Sequence, residues 1–91
     1  GLKVCVVIPT LNEEEDIGDV VSEALPFADE VLVVDGHSTD RTREVAEAAG
    51  ARYVLDPKQG KGAALRHALT ATTADVVVYM DADGSHEASD I

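Results

Sequence analysis

Read as a string of apolar and polar positions, the chain alternates between two periods. Four short runs are almost continuously apolar and rich in β-branched side chains: "KVCVVI" (3–8), "EVLVVD" (30–35), "ARYVL" (51–55) and "DVVVYMD" (75–81). Such runs predict strands buried on both faces, as in a parallel sheet. Between them the apolar positions spread to helical spacing. Ile17, Val20, Val21, Ala24 and Leu25 fall at i, i+3, i+4, i+7 and i+8 and form one stripe. Asn12 is the expected N-cap of that helix, Glu15 sits at the capping-box position, and Pro26 closes the run. Thr42, Val45, Ala46 and Ala49 share the face of a second helix with Gly50 as its stop. Ala64, Leu65, Ala68 and Leu69 mark a third, starting near Gly60 and Gly62.

The order strand, helix, strand, helix, strand, helix, strand predicts an α/β fold. Four mainly parallel strands would be joined by right-handed crossovers, with helices on both faces. Open sheets of this kind bind ligands beyond the carboxyl ends of their strands. The segments at those ends are "PTLNEEE", "DGHSTD", "DPKQGKG" and "DADGSH". The chemically rich stretches therefore gather on one edge.

Length and charge narrow the picture. Ninety-one residues make one small unit. A chain this short is expected to bury only about two thirds of its unfolded surface, which leaves a thin core. Seven Lys and Arg against 18 Asp and Glu give a formal charge of −11. That balance argues against nucleic acid or an anionic membrane surface as a direct partner of the segment. No apolar run reaches the roughly 18 residues needed to span a bilayer. The lone Cys5, inside "VCVVI", reads as a buried, inert thiol of a reducing compartment.

The strand "VVVYM" runs into "DADG", with Asp81 and Asp83 one residue apart. Folding alone gives no reward for two carboxylates together at the tip of a buried strand. Two such groups suit a hard divalent ion that keeps positions open for phosphate oxygens. A diphosphate at about 4 Å from a bare carboxylate would meet repulsion of about 4 kcal/mol per charge pair, so an anionic ligand here needs a metal between. The bland alternative is a solvated Asp-Gly turn.

"DGHSTD" puts Asp35 at the tip of the second strand and Gly36 at a sharp turn, with Ser38, Thr39 or Asp40 to cap the next helix. Asp35 itself caps nothing in this reading, so its carboxylate is available to a base or ribose. His37 reads as an exposed turn residue, and His86 as weak evidence for a metal ligand. Lys58 and Lys61 flank glycines at a helix start, where an anion is favoured, although the spacing matches neither common phosphate loop. The acidic residues of "NEEE" read either as a favourable first helical turn or as a cluster with one or more carboxylates facing the ligand crevice, and spacing does not decide which.

Together these stretches resemble the nucleotide-binding half of the family 2 glycosyltransferases of the GT-A fold, and among them the polyprenyl-phosphate (dolichol-phosphate) mannose and glucose synthases. "VVIPTLNEEEDI" is similar to the family's opening and "VLVVDGHSTDRT" to its second strand and turn. "GKGAALRHAL" matches its third helix and "VVVYMDADGSH" its DXD signature. The resemblance implies a nucleotide site lined by Pro9, Leu11 and Glu13, with Asp35 on the base, Lys61 near the nucleotide, and Asp81 and Asp83 holding Mg2+ or Mn2+ against the donor diphosphate. It implies a GDP-mannose or UDP-glucose type donor, inverting transfer to an acceptor such as a polyprenyl phosphate, and a cytoplasmic protein whose full-length form sits at the cytoplasmic face of a membrane.

Two departures stand out: "DGHS" where family members often read "DDGS", and Glu87 and Ala88 where the synthases commonly carry prolines. The general base is expected beyond Ile91. The chain then reads as a donor-binding half truncated after the DXD, inactive alone and prone to self-association along its sheet edge. The competing readings are a nucleotide-binding module that performs no transfer and a phospho-receiver-like domain. The latter wants an acidic pair after the first strand, where this chain has Pro9 and Thr10.

Overall fold

A computed structural model of the chain describes residues 1–57 and 72–82. In order, β1 (Val4–Thr10) leads into α1 (Ile17–Ala24), which tightens into a 3-10 turn (Leu25–Phe27). β2 (Glu30–Asp35), α2 (Thr42–Ala49), β3 (Arg52–Leu55) and β4 (Val76–Tyr79) follow. The strands form one sheet in the order β3-β2-β1-β4, and every neighbouring pair is parallel. The helix expected over 64–69 and the loop carrying Lys58 and Lys61 lie outside the described residues, as does everything from Asp83 onward.

The two periods read from the sequence meet in the core. Val6 and Ile8 of β1 stand beside Val31 and Val33 of β2 on one face of the sheet. Ile17, Val20, Val21 and Ala24 of α1 and Ala46 of α2 close over them. Cys5, Val7, Leu32 and Val34 occupy the other face and are equally buried. Each Val, Leu or Ile removed from water in this way contributes about 1.5–3 kcal/mol. Leu25, last in the predicted stripe, is more than a third exposed, because it falls in the 3-10 turn where the helical pitch changes.

The ends of β1 and β4 differ from expectation in ways that matter. β1 runs on through Pro9 to Thr10, whereas β4 stops pairing at Tyr79. Val7 O accepts from Met80 N at 3.0 Å, and Thr10 O accepts from Gly36 N at 2.8 Å. Odd-numbered residues of β1 therefore face β4 and even-numbered ones face β2. Pro9 turns its missing N–H toward the side where β4 has already left, so the proline breaks no ladder bond. Beyond this point the sheet splits.

The helix ends differ too. Asn12 does not cap α1: it adopts φ +51°, and its side chain is engaged elsewhere. The first turn is instead rooted on the Glu13 carbonyl, which accepts from Asp16 N and Ile17 N. Gly50 behaves as expected. Its φ of +108° lets Gly50 N and Ala51 N bond back to Glu47 O and Ala46 O, a Schellman closure of α2.

Candidate functional site

The strand order reverses between β1 and β4, and a parallel sheet opens a crevice at the carboxyl side of such a reversal. A cleft of about 490 Å³ lies there, lined by Pro9, Thr10, Leu11, Glu13, Asp81 and Ala82. Pro9, Leu11, Glu13 and Asp81 are four of the residues singled out in the sequence. Of the acidic cluster it is Glu13 that lines the cleft. Leu11 is 55% exposed, an apolar side chain held at the rim. The Thr10 hydroxyl is buried and has no hydrogen-bond partner among the described residues. Sequence reasoning passed over Thr10, because only the unforeseen extension of β1 brings it here.

A second hollow, about 500 Å³, lies between α1 and β4 and is lined by Val4, Val6, Ala24, Phe27, Val78 and Met80, with Glu23 its one charged residue among those described. Its apolar wall offers nothing to a phosphate, and it is set aside as the ligand site.

The cleft's β1–α1 side is shaped by the neighbouring β2–α2 loop. Three successive backbone donors are held in trans: Asn12 N by Ser38 Oγ at 2.7 Å, Glu13 N by Thr42 Oγ1 at 2.9 Å and Glu14 N by Asp40 Oδ2 at 3.2 Å. In return Thr39 N donates to Asn12 Oδ1 at 2.8 Å. Asp40 also caps its own helix, accepting from Thr42 N at 2.9 Å and from the Thr42 hydroxyl. Desolvation works upward on Asp40, but the bonds donated by Thr42 and by Glu14 N together outweigh it and hold its carboxyl below the usual range. The expected capping role of Asp40 thus holds, while Thr39 serves the opposite loop. The density of Ser, Thr and Asp in "DGHSTDRT" was the available signal, since these side chains commonly bond to nearby backbone.

Asp35 is where the reading of the sequence needs correction. It is engaged within its own turn rather than standing free: Ser38 N donates to its carboxylate at 3.1 Å and 3.3 Å, and so does the Ser38 hydroxyl. Tyr53 OH donates to Oδ2 from β3. Asp35 is 1% exposed, paired with Thr10 across β1 and β2. The turn "DGHS" wraps its serine back onto the aspartate, and burial then demands that the charge be met by donors. Tyr53 in turn lies under the Arg43 guanidinium, 4.9 Å from the ring centre.

His37 is exposed with φ +70°, and its Nε2 donates to the Asp56 carbonyl at 2.8 Å, the role of a turn residue. Among the described residues no group of three or more His, Cys, Asp or Glu is assembled for a metal. Lys61, Asp83 and His86 lie outside the described residues. No helix among the described residues is long and apolar enough to cross a membrane.

Comparison with known proteins agrees with this geometry. The glycosyl transferase family 2 model matches residues 5–91. Glycosyltransferase AglJ of Haloferax volcanii is 48% identical over 96% of this chain and 29% of its own length. Glucosyl-3-phosphoglycerate synthase of Mycolicibacterium smegmatis is 42% identical over 91% of this chain and 31% of its own. The crystal structure of glucosyl-3-phosphoglycerate synthase from Mycobacterium tuberculosis in complex with Mn2+, UDP and glucosyl-3-phosphoglycerate superposes with a TM-score of 0.80 at 39% identity, covering 90% of this chain and 34% of that one. The same protein has been solved with Mg2+ and UDP, and with Mn2+, UDP-glucose and phosphoglyceric acid. The chain spans about a third of the length of these relatives. Its sheet is that of the Rossmann-like GT-A fold, and the chain belongs to glycosyl transferase family 2.

Proposed function

We propose that this chain forms the donor-binding part of a metal-dependent glycosyltransferase and that the cleft between β1 and β4 receives a nucleoside diphosphate sugar. The observation that carries the reading is the convergence of Pro9, Leu11, Glu13 and Asp81 on one cleft at the point where the strand order reverses. Pro9 and Leu11 offer an apolar wall to the nucleoside, and Asp81 offers an oxygen ligand at the mouth. A carboxylate donor set suits Mg2+ or Mn2+, and so few protein ligands leave positions for diphosphate oxygens. Asp81, joined by Asp83, would hold the ion. Bound there, it would act as a Lewis acid on the departing diphosphate.

Asp35 keeps a role at the nucleoside only as part of a preset unit with Ser38 and Tyr53, and Lys61 remains assigned to the nucleotide by resemblance alone. Donor binding is what this cleft supports; sugar transfer is proposed for the whole protein. The relatives solved with UDP and UDP-glucose favour a uridine donor over a guanosine one. They also favour phosphoglycerate, a small phosphorylated acid, over a polyprenyl phosphate as acceptor. A cytoplasmic location completes the proposal, in keeping with the buried thiol of Cys5.

Calorimetry of the purified chain with UDP and with GDP, each in Mn2+ and in chelator, tests the reading. It predicts UDP binding that appears with Mn2+ and collapses in chelator. Equal affinity in both conditions would move the site away from the carboxylates, and tighter binding of GDP would overturn the uridine assignment.

A further inference from the structure

We propose that Thr42 and Asp40 are positioning residues for the cleft: they touch no ligand but fix where Glu13 stands in it. The inference rests on the nucleotide-binding reading of the cleft and adds residues which that reading does not contain. A loop leaving a strand has free backbone donors and many conformations. Here the donors of Asn12, Glu13 and Glu14 all point to side chains of the β2–α2 loop and the first residue of α2. The centre of this arrangement is buried. Thr42 is 0% exposed, and its hydroxyl accepts from Glu13 N while donating to Asp40 Oδ1. Asp40 bridges in the same way, one oxygen serving Thr42 and the other Glu14 N.

The consequence follows from geometry. Glu13 O roots α1 by accepting from Asp16 N and Ile17 N, while Glu13 N is pinned to Thr42. Both peptide groups flanking the Glu13 Cα are thereby fixed, and with them the direction in which its side chain leaves the backbone. α1 does not supply the clamp itself, since its N-cap, Asp16, makes no side-chain capping bond. The capping comes instead from α2's own start, so one pair of residues begins one helix and aims the residue that precedes the other. A site that must hold a charged ligand to a fraction of an ångström needs such support behind its contacts.

Three measurements test this on the intact chain. Thr42→Val keeps the shape and removes the hydroxyl; Thr42→Ser restores it; Asp40→Asn, at a half-buried position, leaves only one oxygen to serve three donors. Amide hydrogen exchange is expected to quicken about tenfold at Glu13 and Glu14 in Thr42→Val and in Asp40→Asn, with Val6 to Ile8 unchanged. Thr42→Ser should return it to the original rate. UDP affinity in Mn2+ should fall about tenfold in Thr42→Val and recover in Thr42→Ser. In a Glu13→Gln background the same Thr42→Val change should cost little more, because the residue it positions has already lost its charge. Equal losses in both backgrounds, or exchange that quickens everywhere alike, would overturn the positioning role while leaving nucleotide binding intact. A wild-type chain that binds no UDP would overturn the functional reading, and the positioning role with it. Should Thr42→Val not fold, Asp40→Asn decides the same questions.

Discussion

Tyr53 on β3 donates its phenolic hydrogen to the carboxylate of Asp35 at the tip of β2, joining the sheet's edge strand to the base of the β2–α2 loop. Asp35 is buried, so the bond meets a charge that water cannot reach. Tyr53→Phe removes that donor and leaves the rest of the ring in place. A hydrogen bond to a charged group is worth about 1.5–3 kcal/mol, and urea unfolding should register a loss of that size. A midpoint equal to wild type would mean that Asp35 draws its support from Ser38 alone.

The same tyrosine makes stability depend on alkaline pH. Burial, then the hydrogen bond to Asp35 and its charge, push Tyr53 up from 10.0 to about 12. Burial first, and Glu30 beside it, push the Cys5 thiol up from 9.0 to about 11. Both groups are held protonated by the fold. The stability they lend is complete below the unfolded values, begins to fall near pH 9 as the unfolded thiol ionises, and is lost as pH rises through the folded values. Urea midpoints at about pH 8, 10 and 11.5 should decline in that order, and Tyr53→Phe should flatten the upper part of the decline.

Asp81 gives the third prediction. Asp81→Asn, and likewise Asp83→Asn, should weaken Mn2+-dependent UDP binding at least tenfold, about 1.4 kcal/mol. Unchanged affinity in calorimetry would remove the metal from the account.

The fold was legible because its strands and helices obey different periods, and four β-branched runs separated by helical stripes admit few topologies. The β1–β4 cleft was legible to the extent that both its walls carry out-of-place chemistry, a proline near the end of one strand and an aspartate just past the end of the other. What could not be read was non-local. Nothing local to Asn12 shows that Thr39 will claim its side chain, or that Thr42 and Asp40 will cap the turn ahead of α1. The donors on Asp35 went unread for the same reason: Tyr53 reaches it from a strand 18 residues later. Its other partner, Ser38, was within reach of inspection, since an aspartate three residues before a serine in a glycine turn commonly folds onto it.

The central claim is that a metal-bound nucleotide sits between β1 and β4, and the most direct test uses the paramagnetism of Mn2+. With UDP present, substoichiometric Mn2+ should broaden the amide resonances of Leu11, Glu13, Asp81 and Ala82. Those of Lys3 and Asp75, at the opposite edge of the sheet about 20 Å away, should stay sharp. Broadening centred on Phe27 and Val78, or spread evenly over the chain, would contradict the account.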